Sequence, residues 1–568
     1  MGPEIRSRVT SLGTRSLRFL ILFGVGLLLM VSCSRSTPDQ GSSRDGRIVV
    51  GTTAVISTLD PADANTIFAN NLLYNLGDRL YTYASSNDPS GSNSSSSDPS
   101  GSNSSGSNPG RITLEPQLAT ALPTISPDGL TYTIPLRQGV VFHDGTPFNA
   151  AAMVFSLQRF IQNAGTPSYL LADVDTVTAT GDYELTIRLK QPFAAFTALL
   201  AFSGLCAVSP QAYEIQAGSF KASEFVGTGP YQLGFYGTDQ IRLETFEQYW
   251  GTKPANQGID IQFFSSPANL YNAFRTGAVD VAFQNLAIDQ IRNLQERAAT
   301  EGWQVLASSG SGIDYLTLNL NSPPLNQLAV RQAIAAVMDR PLLQDRVFMG
   351  QIEPLYSLIP STLAEQKPVF EQTFGDRNTA KAKTLLTQAG YSEANPLKLE
   401  FWYRSNLVND QLAAITLQAI AQRQLGNLLQ FELKGIESTT AYQNLDKGAY
   451  PIFLLDWSPD FLDADNYIQP FMECSKGSPE NGCEDGSSFL QGSFYYSDRA
   501  NQLITRSRQT QNPVERQQVF ADLQTLLVED VPFIPLWQSK DFLFAQPNIQ
   551  GAMLQVTQKV PFWPLKKS

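Results

Sequence analysis

Residues 114–160 read LEPQLATALPTISPDGLTYTIPLRQGVVFHDGTPFNAAAMVFSLQRF. Two kinds of periodicity sit side by side in this stretch. TYTIPLR (131–137) and VVFHDGTPF (140–148) are short, rich in β-branched and aromatic residues, and interrupted by turn formers, so they read as strands. The pair Asp144 and Gly145 is a hairpin-turn signal, and a type I′ turn requires positive φ at both central positions. Asn149 then precedes an apolar-periodic run in which Met153, Leu157 and Phe160 share one helical face. Asn is a good N-cap because its side chain accepts a hydrogen bond from the first helical turn.

The same alternation extends outward in both directions. YELTIRL (183–189) and IDYLTLNLN (313–321) read as alternating strands, and SPANLYNAFRTG (266–277) as a capped amphipathic helix. Mixed elements of this kind over a chain of 568 residues predict layered α/β architecture. A chain of this length exceeds what a single hydrophobic core supports, so two or more lobes are expected.

The N-terminus obeys a different logic. Arg6, Arg8, Arg15 and Arg18 form a basic head before the apolar run Phe19–Val31, which is shorter than an ordinary membrane-spanning helix. This is the pattern of an export signal over residues 1–32. The ending LLLMVSC (27–33) resembles the lipobox of bacterial lipoproteins, with Met30 where Leu is usual. That resemblance implies lipidation of Cys33 and anchoring at a membrane surface. Residues 33–46 then read as a lipidated, flexible tether. Residues 85–110 are rich in Ser, Gly and Asn and contain DPSGSNSS twice, from Asp88 and from Asp98. Such a tract buries too little apolar surface to offset its ordering entropy and reads as a disordered insert.

Charge and rare residues exclude several function classes. Loss of residues 1–32 removes four basic residues and one acidic residue, taking the formal charge from −12 to about −15. Nucleic acid is therefore not an expected partner. His143 is the only histidine, and it stands beside a turn, which argues against a His-bearing triad or a multi-histidine metal site. GTGPY (227–231) lacks the spacing and lysine of a phosphate-binding loop. No nucleophile elbow is present, so no catalytic residue, metal or cofactor is assigned. Cys474 and Cys483 flank a short polar loop that an exported protein can close as a disulfide, contributing about 2.7 kcal/mol through loop-closure entropy.

The 114–160 stretch closely resembles the signature of the peptide and nickel family of bacterial extracellular solute-binding proteins. GTGPYQL (227–233), YWGTKP (249–254), YNAFRTGAVDVA (271–282) and YLTLNLNSPPLNQLAVRQAIAAVMDR (315–340) follow in the family's order. AKTLLTQAGY (382–391), LDWSPDFLDADNYIQPF (455–471) and ERQQVFADLQTLLVEDVPFIPLW (515–537) extend the likeness over nearly the whole mature chain. It implies a periplasmic-binding-protein-like α/β fold of two lobes joined by hinge-crossing strands, with an enlarged first lobe. The first lobe would span 47–312, the second 313–535, and 536–568 would return to the first. Crossings are expected near Gly312 and Pro535. The implied role is a non-enzymatic, monomeric receptor that captures a short peptide and delivers it to the permease of an ABC importer. Nickel chelates, haem or oligosaccharides are alternative ligands for the same fold, and ligand sensing is an alternative role.

The acidic run DWSPDFLDADN (456–466) sets Asp456, Asp460, Asp463 and Asp465 beside Trp457 and Phe461 without the spacing of an EF-hand loop. In peptide-binding members of the family, the acidic residue three positions after the tryptophan holds the ligand's α-ammonium, which implies that role for Asp460. The resemblance further implies that Asp456, Trp457 and Ser458 supply the adjoining backbone. DANTIFANN (63–71) aligns loosely with the family segment lying along the other side of the ligand, implicating Ile67 and Phe68.

Overall fold

The computed structural model describes residues 46–84, 113–284, 286–555 and 557–568. The export signal (1–32), Cys33 with nearly all of the tether, and the 85–110 insert lie outside the described residues. The first strand of the described residues is Ile48–Thr52, whose five residues are all buried.

The organising element is an 11-stranded sheet whose two halves serve two lobes. In the first lobe, Tyr231–Tyr236, Gln240–Thr245, Ile259–Phe263, Ile48–Thr52 and Val281–Phe283 lie side by side. The second lobe contributes Ile452–Trp457, Leu397–Arg404 and Leu429–Ile436, the last two paired in parallel. Two long strands belong to both halves: Gln304–Leu318 runs out and Phe533–Ala545 returns, antiparallel to it. Each is apolar where it crosses a core and polar in the middle, as the sequence QSKD (538–541) already shows.

Pairing between these strands covers Gln304–Ser309 against Lys540–Ala545 and Ile313–Thr317 against Phe533–Gln538, and it lapses between Ser309 and Ile313. Gly310 and Gly312 occupy the lapse, opposite Ser539. A Cβ on Gly310 would lie 2.3 Å from Ser539 Oγ, so the close approach of the two strands requires glycine there. The outward crossing expected near Gly312 coincides with this lapse, whereas the return strand faces it at Ser539, a few residues beyond Pro535.

Separate cores account for the lobes. The second is built on Ile313–Leu318, the helix Leu328–Val337 and the strand Ile452–Trp457. Val330, Ile334 and Val337 are fully buried there, while Arg331 donates to the carbonyls of Leu325 and Asp530 as a packing residue. Two cores cover opposite faces of the first-lobe sheet. A further core enlarges that lobe with the four-stranded sheet Thr124–Ile125, Thr131–Pro135, Glu184–Leu189 and Val174–Gly181 and the helix Ala150–Gln162. Asn149 caps this helix, its Oδ1 accepting from Ala152 N at 3.0 Å, and Met153, Leu157 and Phe160 face the core.

The FHDGT turn differs from the two-residue type I′ form. Phe142 N donates to Thr146 O and Gly145 N to Phe142 O, so three residues make the loop and only Gly145 takes positive φ, at 83°. Asp144 instead spends its side chain locally, accepting from Thr146 N at 2.9 Å and from Ser209 Oγ at 2.6 Å. A type I turn closed by a left-handed glycine is the form such a loop favours. His143 ties this turn to GTGPY: Nδ1 accepts from Gly227 N at 3.2 Å and Nε2 donates to Gly229 O at 3.1 Å. Cys474 and Cys483 are joined by a disulfide with Cα atoms 5.7 Å apart, and Cys206 is a buried free thiol.

Candidate functional site

The acidic loop begins where a buried strand ends. Ile452 to Leu455 are buried, and polarity starts at Asp456. Beyond it the chain folds around Asn466, whose Oδ1 accepts from Asp460 N at 3.0 Å and whose carbonyl accepts from Trp457 Nε1 at 2.9 Å. The tip of the loop inserts into the first lobe. Phe461 and Leu462 join the core around the four-stranded sheet, Phe461 packs against Phe193, and Leu462 N donates to Tyr83 Oη at 3.0 Å. Asp460 is thereby held at the junction of the lobes.

The four carboxylates of this loop have separate fates. Asp463 is paired with Arg516 and Asp465 with Arg508, each through two hydrogen bonds. Asp456 pairs with Arg404, which also holds Asp410 at 2.8 Å. Each is committed to an arginine rather than turned to a shared cation. Asp460 alone is left without a basic partner among the described residues. Its Oδ2 accepts from Tyr169 Oη at 2.8 Å, and burial raises its pKa, partly offset by the hydrogen bonds from Tyr169 and Asn466.

Three adjoining cavities form the cleft between the lobes. The first, about 100 Å³, is bounded by Asp460, Ser458, Ile67, Asn70, Tyr83 and Lys559. The second, about 520 Å³, shares Ser458 and Gln558 with the first and reaches Asp456 and Trp457. The third, about 530 Å³, lies against Ile67, Phe68 and the polar middle of the return strand, Ser539 to Asp541. All six residues singled out in the sequence therefore border the cleft. Phe68 does so differently from the rest: the residue is 1% exposed and its ring packs against Phe263.

Several cleft residues had no usable sequence signal. Tyr169 sits in the 3₁₀ segment Thr166–Leu171, and its contact with Asp460 spans the two lobes. Asp541 and Lys559 come from the return strand and the segment after it. Burial pushes Asp541 up to about 7; Gln558 donates to its Oδ1 at 3.1 Å, and its Oδ2 accepts no hydrogen bond among the described residues. Burial and Arg79 bring Lys559 down to about 8. Only the polar interruption QSKD in an otherwise apolar strand hinted at this wall.

Chemically, the cleft offers a half-buried carboxylate at one end, polar hinge-strand residues along one side and apolar side chains on the other. It has the features of a binding site.

Comparison with known proteins agrees with this architecture. The glutathione-binding protein GsiB of Escherichia coli O157:H7 is 25% identical over 547 residues, covering 94% of this chain and 95% of that protein. The fold is shared with HbpA2 from Haemophilus parasuis, at a TM-score of 0.75 and 22% identity, over 92% of this chain and 100% of that one. It is also shared with the periplasmic binding protein DppA from Helicobacter pylori in complex with peptide STSA, at a TM-score of 0.70 and 22% identity, over 92% and 98% of the two chains. Residues 113–479, which carry the signature stretch, the outgoing strand and the acidic loop, match the middle region of the bacterial extracellular solute-binding proteins, family 5, and the chain belongs to that family.

Proposed function

We propose that this protein is an extracytoplasmic receptor that encloses a short peptide between its lobes and hands it to the permease of an ABC importer. In this reading the α-ammonium of the peptide pairs with Asp460, displacing the Tyr169 hydroxyl. The backbone at Asp456, Trp457 and Ser458 lines one side of the peptide, and Ile67 and Phe68 line the other. The lobes comprise 47–312, 313–535 and the returning 536–568. A lipid on Cys33 holds the protein as a monomer at a membrane.

The observation that carries the reading is Asp460 itself: a carboxylate within the interlobe cleft, its pKa raised by burial, and answered among the described residues only by neutral donors. A ligand ammonium would supply the missing counter-charge through a charge-assisted hydrogen bond. Two of the similar proteins have peptide ligands in their names or complexes, glutathione for GsiB and STSA for DppA.

Asp460→Asn tests it. Removing one partner of a buried charged pair costs about 3 to 5 kcal/mol, so affinity for a free-amine tripeptide is expected to fall by about two to three and a half decades. The N-acetylated tripeptide, which has no ammonium, should be affected far less. Equal losses for both peptides would remove Asp460 from the ammonium role.

A further inference from the structure

The joint between the lobes holds a carboxylate that the ammonium anchor does not use. Asp541 lies on the return strand directly opposite Ser308, and Lys540 lies opposite Ser309; beyond these two pairs the ladder lapses. Strand alternation puts Ser308, Ser539 and Asp541 on one face and Ser309 and Lys540 on the other. The second face is satisfied, because Ser309 Oγ donates to Glu353 Oε1 at 2.8 Å and Lys540 Nζ to Gly350 O at 3.2 Å. The first is not. Ser308 Oγ, Ser539 Oγ and Asp541 Oδ2 are sealed from solvent and make no hydrogen bond among the described residues.

The sealing comes from the close approach of the two strands. A Cβ on Gly310 would lie 2.9 Å from Asp541 Oδ2 as well as 2.3 Å from Ser539 Oγ, so the carboxylate is pressed against the glycine that lets the strands meet. Gln558 answers only Oδ1, at 3.1 Å. An ionised oxygen in such a place has lost its water and gained no donor, which is costly; a neutral carboxyl is much less so. Burial raises the Asp541 pKa to about 7, against the pull of Gln558 and of the Lys559 ammonium. Tyr467, whose Oη donates to Ser311 O at 2.7 Å, stays neutral in this range because burial raises its own pKa.

Movement at the joint relieves the charge at least cost. Pairing is already absent between Ser309 and Ile313, so the strands can part there, and parting returns Oδ2 to water. We infer that Asp541 is a proton switch in the hinge: protonated, it lets the strands pack at this close approach, and ionised, it loosens the joint between the lobes. The switch does not depend on which ligand the cleft takes. Linkage sets its direction: a carboxyl whose pKa is raised in the packed joint favours packing at low pH, and that preference is lost as pH rises through about 7.

Hydrogen exchange of the full chain in detergent, without ligand, reads the joint through the amides of 306–313 and 538–542. Corrected for the intrinsic pH dependence of exchange, their protection should fall about tenfold between about pH 6 and pH 8 and level off above. At both pH values it should stay below that of the core strand Ile48–Thr52, the mark of a local opening. In Asp541→Asn, neutral throughout, the fall should vanish. In Lys559→Gln, which removes the cation acting on Asp541, the fall should persist with its midpoint moved to higher pH. A flat wild-type profile overturns the switch, and so does a fall that survives Asp541→Asn. A fall lost in Lys559→Gln would assign the titration to that lysine, and protection equal to that of Ile48–Thr52 would make the opening global; either result also overturns it.

Discussion

His143 shows how far one residue's role can be worked out from its neighbours. Its two ring nitrogens make opposite bonds, accepting from Gly227 N and donating to Gly229 O, which fixes the neutral form with the proton on Nε2. Burial against Phe246 lowers its pKa to about 4 from an ordinary 6.5. Between those values the unfolded chain binds the proton and the folded one does not. The stabilisation is therefore complete above about pH 6.5 and is lost as pH falls towards 4, by about 3 kcal/mol in the limit. Urea unfolding of wild type and His143→Gln across that range should show the wild type losing stability more steeply. Parallel curves would mean that the imidazole titrates normally. Asp460 was picked out of the acidic run through the family resemblance, as the acid three positions after Trp457, and it borders the cleft. Its partner Tyr169 was not, because a contact between residues so far apart in the chain leaves no local trace. Phe68 was legible as a cleft position but not as a buried ring, since helix position alone does not say which way the first turn faces.

Among the elements, Thr131–Pro135, Ala150–Gln162 and Pro267–Arg275 were read in their proper places, whereas 140–148, read as a strand, forms only an isolated bridge between Val141 and Pro147 around its turn. The Asp-Gly turn was recognised but its type was not. Asp144 had a local hydrogen bond to make, and that favours a three-residue loop over one that forces aspartate into positive φ. The Cys474–Cys483 loop was legible from spacing, and it closes the small hairpin of Lys476–Ser478 and Gly482–Asp485. Replacing both cysteines by serine should lower the unfolding free energy by about 2.7 kcal/mol, read as a shift of the urea midpoint. An unchanged midpoint would show that the hairpin is held by its hydrogen bonds alone. Beyond local pattern lay the hinge. Gly310 and Gly312 look like any loop glycines until Ser539 is placed against them.

At the scale of the molecule, two separately cored lobes share two strands, and those strands lose their pairing where they pass between the cores. A ligand that touches both sides would favour closure about such a joint. The cleft has groups on each side to be touched: Ile67, Tyr169 and Lys559 on the first lobe, Asp460, Trp457 and Asp314 on the second. Length and alternation told of lobes, and the family resemblance told of a hinge. The shape and charge of the cleft depend on the meeting of distant segments and became visible only in the fold. Calorimetric titration of the full chain in detergent addresses the central claim most directly, using a pool of short peptides, the same pool N-acetylated, and nickel–histidine chelate. The account predicts binding to the free-amine pool that acetylation abolishes; binding to the chelate alone, or to none of the three, would contradict it.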